Sequence, residues 1–152
     1  MLLYVSYGWN MEPARLAART GADAARLASR FAVVVRGMRL AFAKRNDDGT
    51  AFATLLPDHA AEAEAIAYPL TEAELALLDA AEDVPQHYLR ATIEVIPRLG
   101  GPARPAVTYL ANPARCADGL LPPRWCLDHF LKAADLLGPE WVAMLHRQEV
   151  SG

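Results

Sequence analysis

The segment LYVSYGWNM, residues 3–11, joins an apolar strand to a loop that contains a tryptophan. Residues 2–5 alternate too little for a strand with one face in water, and they predict a buried strand over residues 2–6. Gly8 then predicts a turn, although Trp9 is unfavourable in a solvated loop because its large ring prefers burial. Asn10 carries an amide that can form an Asx turn or bind a ligand. We therefore expect a chain reversal that lines a pocket.

The composition indicates an ordinary globular protein and excludes several classes of partner. The chain has 152 residues, 53% hydrophobic and 22% charged, which suits one domain spanning residues 1–152. A formal net charge of -3 and singly scattered arginines argue against a nucleic-acid partner, which requires a concentrated basic surface. No apolar run approaches about 20 residues, so we expect no membrane span or membrane partner. The N-terminus lacks a signal-peptide pattern, and we therefore expect a cytoplasmic location.

The cysteines and histidines show no metal-binding pattern. Cys116 and Cys126 are the two cysteines, and their spacing matches no zinc signature. A disulfide between them stays open, but two free thiols in a reducing compartment is the simpler interpretation. No HxxxH or HExxH spacing occurs among the histidines, which we interpret as surface or turn residues: His59, His87, His129 and His146. We therefore predict no metal site.

The order of predicted elements favours an α+β fold over a doubly wound sheet, because mixed strands come first and helices follow late in the chain. Turn signals at NDDG (46–49) and at Pro57-Asp58 separate predicted strands, and Gly37 indicates either a hairpin or a bent strand. Strands are predicted at residues 2–6, 29–35, 39–45, 51–56, 63–70, 88–96 and 106–110. Helices are predicted at residues 12–19, 71–82, 121–138 and 139–147.

The clearest predicted helix, residues 71–82, opens with a capping box and ends in a carboxylate. On a 3.6-residue spiral, Leu75, Leu78 and Glu82 share the arc that should face the core. Burial and the negative end of the helix dipole both disfavour a charged carboxylate, so both should raise the pKa of Glu82. A raised pKa suits a group that exchanges protons near neutrality. The alternative is that the helix frays at Ala81 and Glu82 lies in water.

Five segments in this order resemble the gamma-glutamylcyclotransferase family: YVSYGWNM, FATLLPD, LLDAAEDVPQHYLR, VTYLANP and LLGPEWVAML. The family pattern has Tyr-Gly-Ser-Asn-Leu/Met after its first strand, Ala-Thr after a Gly pair, and Leu-Asp-x-x-Glu-Gly ahead of a Tyr. A Thr/Ser-Tyr strand and a Gly-Leu-Pro-x-x-Tyr helix start follow. The similarity extends from Leu3 to about Leu145, and it implies a small mixed β-barrel flanked by helices.

The resemblance also implies a reaction. Family members cleave a gamma-glutamyl amide by attack of the substrate's own α-amine, which releases 5-oxoproline and an amine without a metal or organic cofactor. The implied partner is thus a small gamma-glutamyl substrate. The family's acid/base Glu corresponds to Glu82 and its nearby Tyr to Tyr88. The loop that holds the glutamyl group corresponds to Tyr7, Gly8, Trp9, Asn10 and Met11.

Five residues depart from the family pattern. Trp9 stands where the family has Ser, Thr50-Ala51 replaces the Gly pair, Asp83 replaces the Gly after the Glu, and Trp125 stands near an expected Tyr. These changes leave the acid/base position intact but alter the pocket lining. Two other functions therefore stay open: a non-catalytic small-molecule-binding module on the same fold, and a scaffold that binds a partner through an exposed tryptophan.

Overall fold

Five strands close into a barrel in a computed structural model that describes residues 1–152. The strands are β1 (Leu2–Ser6), β2 (Phe31–Arg45), β3 (Ala51–Leu70), β4 (Tyr88–Pro97) and β5 (Arg104–Ala111). The helices are α1 (Pro13–Thr20), α2 (Ala24–Leu27), α3 (Glu72–Ala81), α4 (Arg124–Phe130) and α5 (Pro139–Arg147). The α+β class, with a small barrel flanked by helices, is confirmed.

The barrel is mixed because β1 has one antiparallel and one parallel neighbour. The strand order is β1-β3-β2-β4-β5, and β5 returns to β1. β1 pairs antiparallel with the end of β3, from Leu2 opposite Leu70 to Ser6 opposite Ile66. Its bridge to β5, Tyr4 opposite Val107, is parallel. β1 is therefore hydrogen-bonded on both sides, as expected for a buried strand, and its residues 4–6 are buried.

Strand β2 runs through Gly37, which agrees with the bent strand that the sequence allowed beside a hairpin, whereas the break predicted at Pro57-Asp58 is wrong because β3 runs through it. The pairing register shifts between Arg36 and Met38, which leaves residues 58–61 of β3 opposite Gly37. Gly37 has φ +79, a conformation that glycine adopts without steric cost. A β-bulge of this kind bends a strand without ending it, and it tolerates a proline that cannot donate to the ladder.

Helix α3 ends in a left-handed residue that fixes the position of Glu82. Asp83 has φ +54, and its N–H donates to the carbonyl of Ala80 at 3.2 Å. The Val84 N–H donates to the carbonyl of Asp79 at 3.0 Å, so the two bonds together form a Schellman motif. The last helical residue is Ala81, and Glu82 is the C-cap. The capping box predicted at the other end is confirmed between Thr71 and Glu74.

The other helices show where the sequence pattern was insufficient. The single helix predicted over residues 121–138 is wrong: α4 covers only Arg124–Phe130, and a 3₁₀ turn, Leu131–Ala133, follows it. The tighter turn still buries Ala133 and Leu137, so apolar spacing alone could not reveal the break. The short helix α2 was not predicted, and Asp23 caps it by accepting the Ala25 N–H at 3.0 Å.

Further observations bear on the expected class of protein. Cys116 and Cys126 are both free thiols, as predicted. None of the helices combines the length and the apolar character needed to cross a lipid bilayer. No three His, Cys, Asp or Glu side chains gather in a way that could hold a metal ion.

Candidate functional site

A cavity of about 60 Å³ lies at the end of β1, between the loop of residues 7–10 and the C-terminal end of α3. We call it the inner cavity. Its walls include the side chains of Phe52, Glu82 and Tyr88, together with Tyr4 and Tyr109. The first strand thus leads directly into the loop that forms one wall, as the sequence predicted. Residues far apart in the chain, from β1, β3, β4, β5 and the C-cap of α3, converge on this space.

The loop is shaped by a 3₁₀ turn, Trp9–Met11, in which the Met11 N–H donates to the Gly8 carbonyl at 3.1 Å. The backbone N–H groups of Trp9 and Asn10 donate to no carbonyl or side chain of the protein. Such unpaired donors are expected at the start of a helical turn. A β-carbon on Gly8 would stand 3.4 Å from the Phe130 ring, an ordinary van der Waals distance, so packing against this ring does not by itself require glycine.

Glu82 faces this loop and is mostly shielded from water, with 16% of its side chain exposed. Asn10 Nδ2 donates to Glu82 Oε1 at 3.0 Å, and Arg19 Nη1 donates to the same oxygen at 2.9 Å. The other oxygen, Oε2, makes no hydrogen bond to the protein. It is not one of the fully buried polar atoms that lack a partner, so it remains accessible to a ligand. The helix does end at Ala81, as the alternative interpretation supposed, but Glu82 does not lie in open water.

Burial raises the pKa of Glu82, and the positive charge of Arg19 and the hydrogen bond from Asn10 oppose that rise. The direction agrees with the expectation from the sequence. The tyrosines of the inner cavity cannot substitute for it as proton carriers near neutrality, since burial raises the pKa values of Tyr4, Tyr7 and Tyr88. Burial therefore shifts the pKa of Glu82 towards neutrality and the pKa values of these tyrosines away from it.

Two tyrosine hydroxyls next to Glu82 already have hydrogen-bond partners. Tyr88 donates to the carbonyl of Ala53 at 2.8 Å, and Tyr4 accepts a hydrogen bond from Asn10 Nδ2 at 3.0 Å. Tyr7 donates to the carbonyl of Tyr109 across the barrel. These bonds hold the rings as walls of the inner cavity. They also hold the Asn10 amide so that it points at Glu82.

A second, wider space of about 340 Å³ adjoins the inner cavity, and we call it the outer cleft. The two spaces share four walls: Trp9, Phe52, Glu82 and Tyr88. The outer cleft is otherwise more polar, and its walls include Arg19, Lys44, Asp47, Thr50, Asp83, His87 and Trp125. Because Glu82 borders both spaces, a molecule that occupies both would place its central bonds beside this carboxylate.

Trp9 is both a wall of these spaces and a packed side chain. Its ring centroid lies 4.3 Å from that of Phe52 and 4.9 Å from that of Trp125. Its indole N–H donates to the sulfur of Cys126. Trp125, by contrast, is 48% exposed at the rim of the outer cleft. The three aromatic rings therefore form a continuous apolar surface that extends from the inner cavity outward.

The structure brings together most of the site residues predicted from the sequence. Tyr7, Gly8, Trp9, Asn10, Glu82 and Tyr88 all line the inner cavity. Met11 does not: its side chain is completely buried in the core, and its carbonyl accepts a hydrogen bond from Tyr68 at 2.8 Å. Of the departures from the family pattern, Thr50, Asp83 and Trp125 border the outer cleft, whereas Ala51 is buried at the start of β3.

Several side chains of the site were not predicted from the sequence, among them Arg19, Lys44 and Phe52. Arg19 is the penultimate residue of α1 and lies 63 positions before Glu82, with which it forms an ion pair. Lys44 and Phe52 belong to β2 and β3, in stretches that read only as strand. No local signal distinguishes them, because their position at the site depends on closure of the barrel.

Comparisons with known proteins agree with this architecture. A family model described as "Gamma-glutamyl cyclotransferase, AIG2-like" matches residues 4–127, and curated proteins give no significant match. A solved structure named "Gamma-glutamyl cyclotransferase" has a TM-score of 0.82 at 17% identity, over 99% of this chain and 89% of that one. An uncharacterised human protein gives the same score and coverages at 18% identity. YkqA from Bacillus subtilis gives 0.82 at 23% identity, over 99% of this chain and 56% of that one.

Proposed function

The chain belongs to the AIG2-like gamma-glutamyl cyclotransferase family, and on that premise we propose that it is an enzyme that cleaves a gamma-glutamyl amide. The products are 5-oxoproline and the free amine. One observation carries the proposal: Glu82 borders both the inner cavity and the outer cleft, and has one oxygen without a partner. In this arrangement the glutamyl group occupies the inner cavity and the leaving amine occupies the outer cleft.

The reaction needs a proton carrier more than it needs a nucleophile from the protein. The substrate's α-amine attacks its own γ-carbonyl carbon, and closure of a five-membered ring within one molecule has a high effective molarity. Glu82 Oε2 first takes a proton from the α-ammonium, which makes this nitrogen nucleophilic. When the tetrahedral intermediate collapses, the bond to the leaving nitrogen breaks and Glu82 returns the proton to that nitrogen. The ring nitrogen gives up a second proton as it becomes the lactam N–H, and that proton converts the departing amine to its ammonium form. No water is consumed, and no metal or organic cofactor is required.

The loop at the end of β1 supports this chemistry through its backbone. The attack places negative charge on the γ-carbonyl oxygen, and donors fixed in advance stabilise such a charge. The N–H groups of Trp9 and Asn10 have no acceptor in the protein, so they are free to donate to this oxygen or to the substrate carboxylate. The Asn10 side chain has a separate role, since its Nδ2 orients Glu82.

The test is a mass-spectrometric assay for 5-oxoproline with a panel of gamma-glutamyl amides and peptides. We expect wild-type protein to release 5-oxoproline from at least one member, and Glu82→Gln to reduce the rate by ~10²–10⁴-fold, because Gln cannot carry the proton. Glu62→Gln is the matched control, since Glu62 is an exposed carboxylate of β3 that pairs with Arg36. Ligand binding without turnover, unchanged in Glu82→Gln, would instead support a non-catalytic binding module.

A further inference from the structure

Lys44 has a buried ammonium group without an anionic partner in the protein. Only 3% of the residue is exposed, and its Nζ donates to Asn46 Oδ1 at 3.1 Å. No carboxylate lies within ion-pair distance of this nitrogen. Burial lowers the pKa of Lys44 and the positive charge of Arg115 lowers it further, while the more distant carboxylates of Asp47, Asp83 and Glu82 oppose the fall without reversing it. A buried ammonium whose one hydrogen-bond acceptor is a neutral amide, with aromatic rings and no carboxylate in contact, is under-compensated, so this position suits a group that acquires an anion when a ligand binds.

The ammonium lies where the outer cleft meets the inner cavity. Lys44 borders the outer cleft, and its Nζ is 5.4 Å from the ring centroid of Phe52 and 5.8 Å from that of Tyr88. Both rings also line the inner cavity. A substrate whose glutamyl group fills the inner cavity would therefore direct the first atoms of its leaving amine past this ammonium.

The other charged groups of the outer cleft already have partners. Arg19 pairs with Glu82 at 2.9 Å, and His87 lies 3.2 Å from the carboxylate of Asp83. Asp47, which is 96% exposed, is 3.5 Å from Arg115, and Asp48 accepts hydrogen bonds from Thr50. Arg19 is neutralised by Glu82, and burial lowers the pKa of His87, so neither supplies a free cation that competes with Lys44 for an anion.

The remaining feature of the outer cleft is its aromatic wall, formed by Trp9, Phe52 and Trp125. The Phe52 and Trp125 centroids lie 5.7 Å apart, and Trp125 is half exposed although its ring is large and apolar. An exposed ring at the rim of a cleft gains most from a ligand that covers it, and an aromatic ring does so with favourable edge or offset geometry. The cleft thus offers one cation and one apolar surface.

We propose that the outer cleft binds a leaving amine that carries a carboxylate together with an aromatic side chain, and that Lys44 determines specificity by binding the carboxylate. The inference rests on the proposed function, which it extends from the glutamyl group to the other side of the scissile amide. Lys44 is a specificity residue in this scheme, and proton transfer stays with Glu82.

A pair of substrates that differ only in the carboxylate tests the inference: gamma-glutamyl-phenylalanine and gamma-glutamyl-2-phenylethylamine. A hydrogen bond to a charged partner changes affinity by about 10–100-fold, and we expect wild-type protein to prefer the phenylalanine compound by that factor in kcat/KM. Lys44→Met should bring the ratio close to 1, while Lys44→Arg should keep much of the preference. Lys132→Met is the matched control, because the other lysine of the chain is exposed in the 3₁₀ turn after α4.

Two outcomes would overturn the inference. One is equal turnover of the two substrates by wild-type protein, which leaves the proposed cyclotransferase intact. The other is an unchanged substrate ratio in Lys44→Met. If neither substrate is turned over, calorimetric binding of phenylalanine and of 2-phenylethylamine replaces the rate assay. Tighter binding of phenylalanine that disappears in Lys44→Met supports the role of Lys44 even where the reaction fails, and equal binding contradicts it.

Discussion

Arg19→Met should move the acidic limb of the pH–rate profile to higher pH. Arg19 Nη1 donates to Glu82 Oε1 at 2.9 Å, and its positive charge opposes the rise in the pKa of Glu82 that burial causes. Methionine keeps an unbranched apolar stem beside Trp9, whose ring centroid is 5.9 Å from the Arg19 guanidinium carbon. The substitution therefore removes the charge with little change in packing, and the pKa of Glu82 should rise further.

The size of the shift follows from the geometry of the pair. An opposite charge in contact with a carboxylate lowers its pKa by about 1–3 units. The side chains of Arg19 and Glu82 are 20% and 16% exposed, so water screens part of the interaction. We therefore expect about 1–2 units, which corresponds to about 1.4–2.7 kcal/mol. Glu82 must be ionised to accept the proton, so the variant should lose activity most strongly on the acidic side.

The assay is kcat/KM for 5-oxoproline release as a function of pH, which reports the ionisation of the free enzyme. Arg36→Met is the control, since this exposed arginine pairs with Glu62 and does not line the site. The reasoning is refuted if the midpoint of Arg19→Met is unchanged or lower while that of Arg36→Met equals the wild-type value. A uniform loss of rate at every pH would indicate that Arg19 positions the substrate and does not tune Glu82.

Three further substitutions test other parts of the account. Trp9→Ser should shift selectivity in kcat/KM by about 10–200-fold from gamma-glutamyl-phenylalanine towards gamma-glutamyl-alanine. A loss of about 3–5 kcal/mol in unfolding free energy with unchanged selectivity would instead show that Trp9 is a core residue. Asp83→Gly should change the free energy of unfolding by less than about 1 kcal/mol, because glycine adopts the φ of +54 at this position without steric cost. Asp83→Val should destabilise the fold more, because a β-branched residue is strongly disfavoured in this conformation. Similar losses for the two variants in thermal or denaturant unfolding would contradict this. The hydrogen bond from Arg26 lowers the pKa of Glu74 from 4.5 to about 2. The contribution of this ion pair to folding stability is therefore complete above pH ~4.5 and disappears as pH falls towards 2. Glu74→Gln should therefore cost roughly 1–2 kcal/mol at pH 7 after partial screening and little near pH 2, and a pH-independent difference in urea unfolding would count against the ion pair.

Local patterns predicted the acid/base candidate because its placement depends on a single helix. The helical spacing placed Leu75, Leu78 and Glu82 on one arc, and both leucines are completely buried. The capping box at the start of α3 is likewise encoded within a few residues. Asp83 adopts the left-handed conformation at the position where the resembled family has Gly, and this geometry accounts for that family preference.

The remaining features depend on contacts between distant segments. Pro57 reads as a strand break and Gly37 as a hairpin or a bend, and only the pairing of β2 with β3 shows that they belong to one bulge. The partnership of Arg19 with Glu82 and the burial of Lys44 both require a closed barrel. The periodicity of one segment carries no information about which distant residue it will meet.

The most direct test of the central claim follows the substrate's atoms through the reaction. A gamma-glutamyl amide labelled with ¹⁵N at its α-amine is incubated with the protein in H₂¹⁸O, and the products are analysed by mass spectrometry. We predict 5-oxoproline that retains ¹⁵N in the ring and contains no ¹⁸O, with its formation strongly reduced in Glu82→Gln. Glutamate that contains ¹⁸O would show that water, and not the substrate's own amine, attacks the γ-carbonyl, and it would contradict the proposed cyclotransferase reaction.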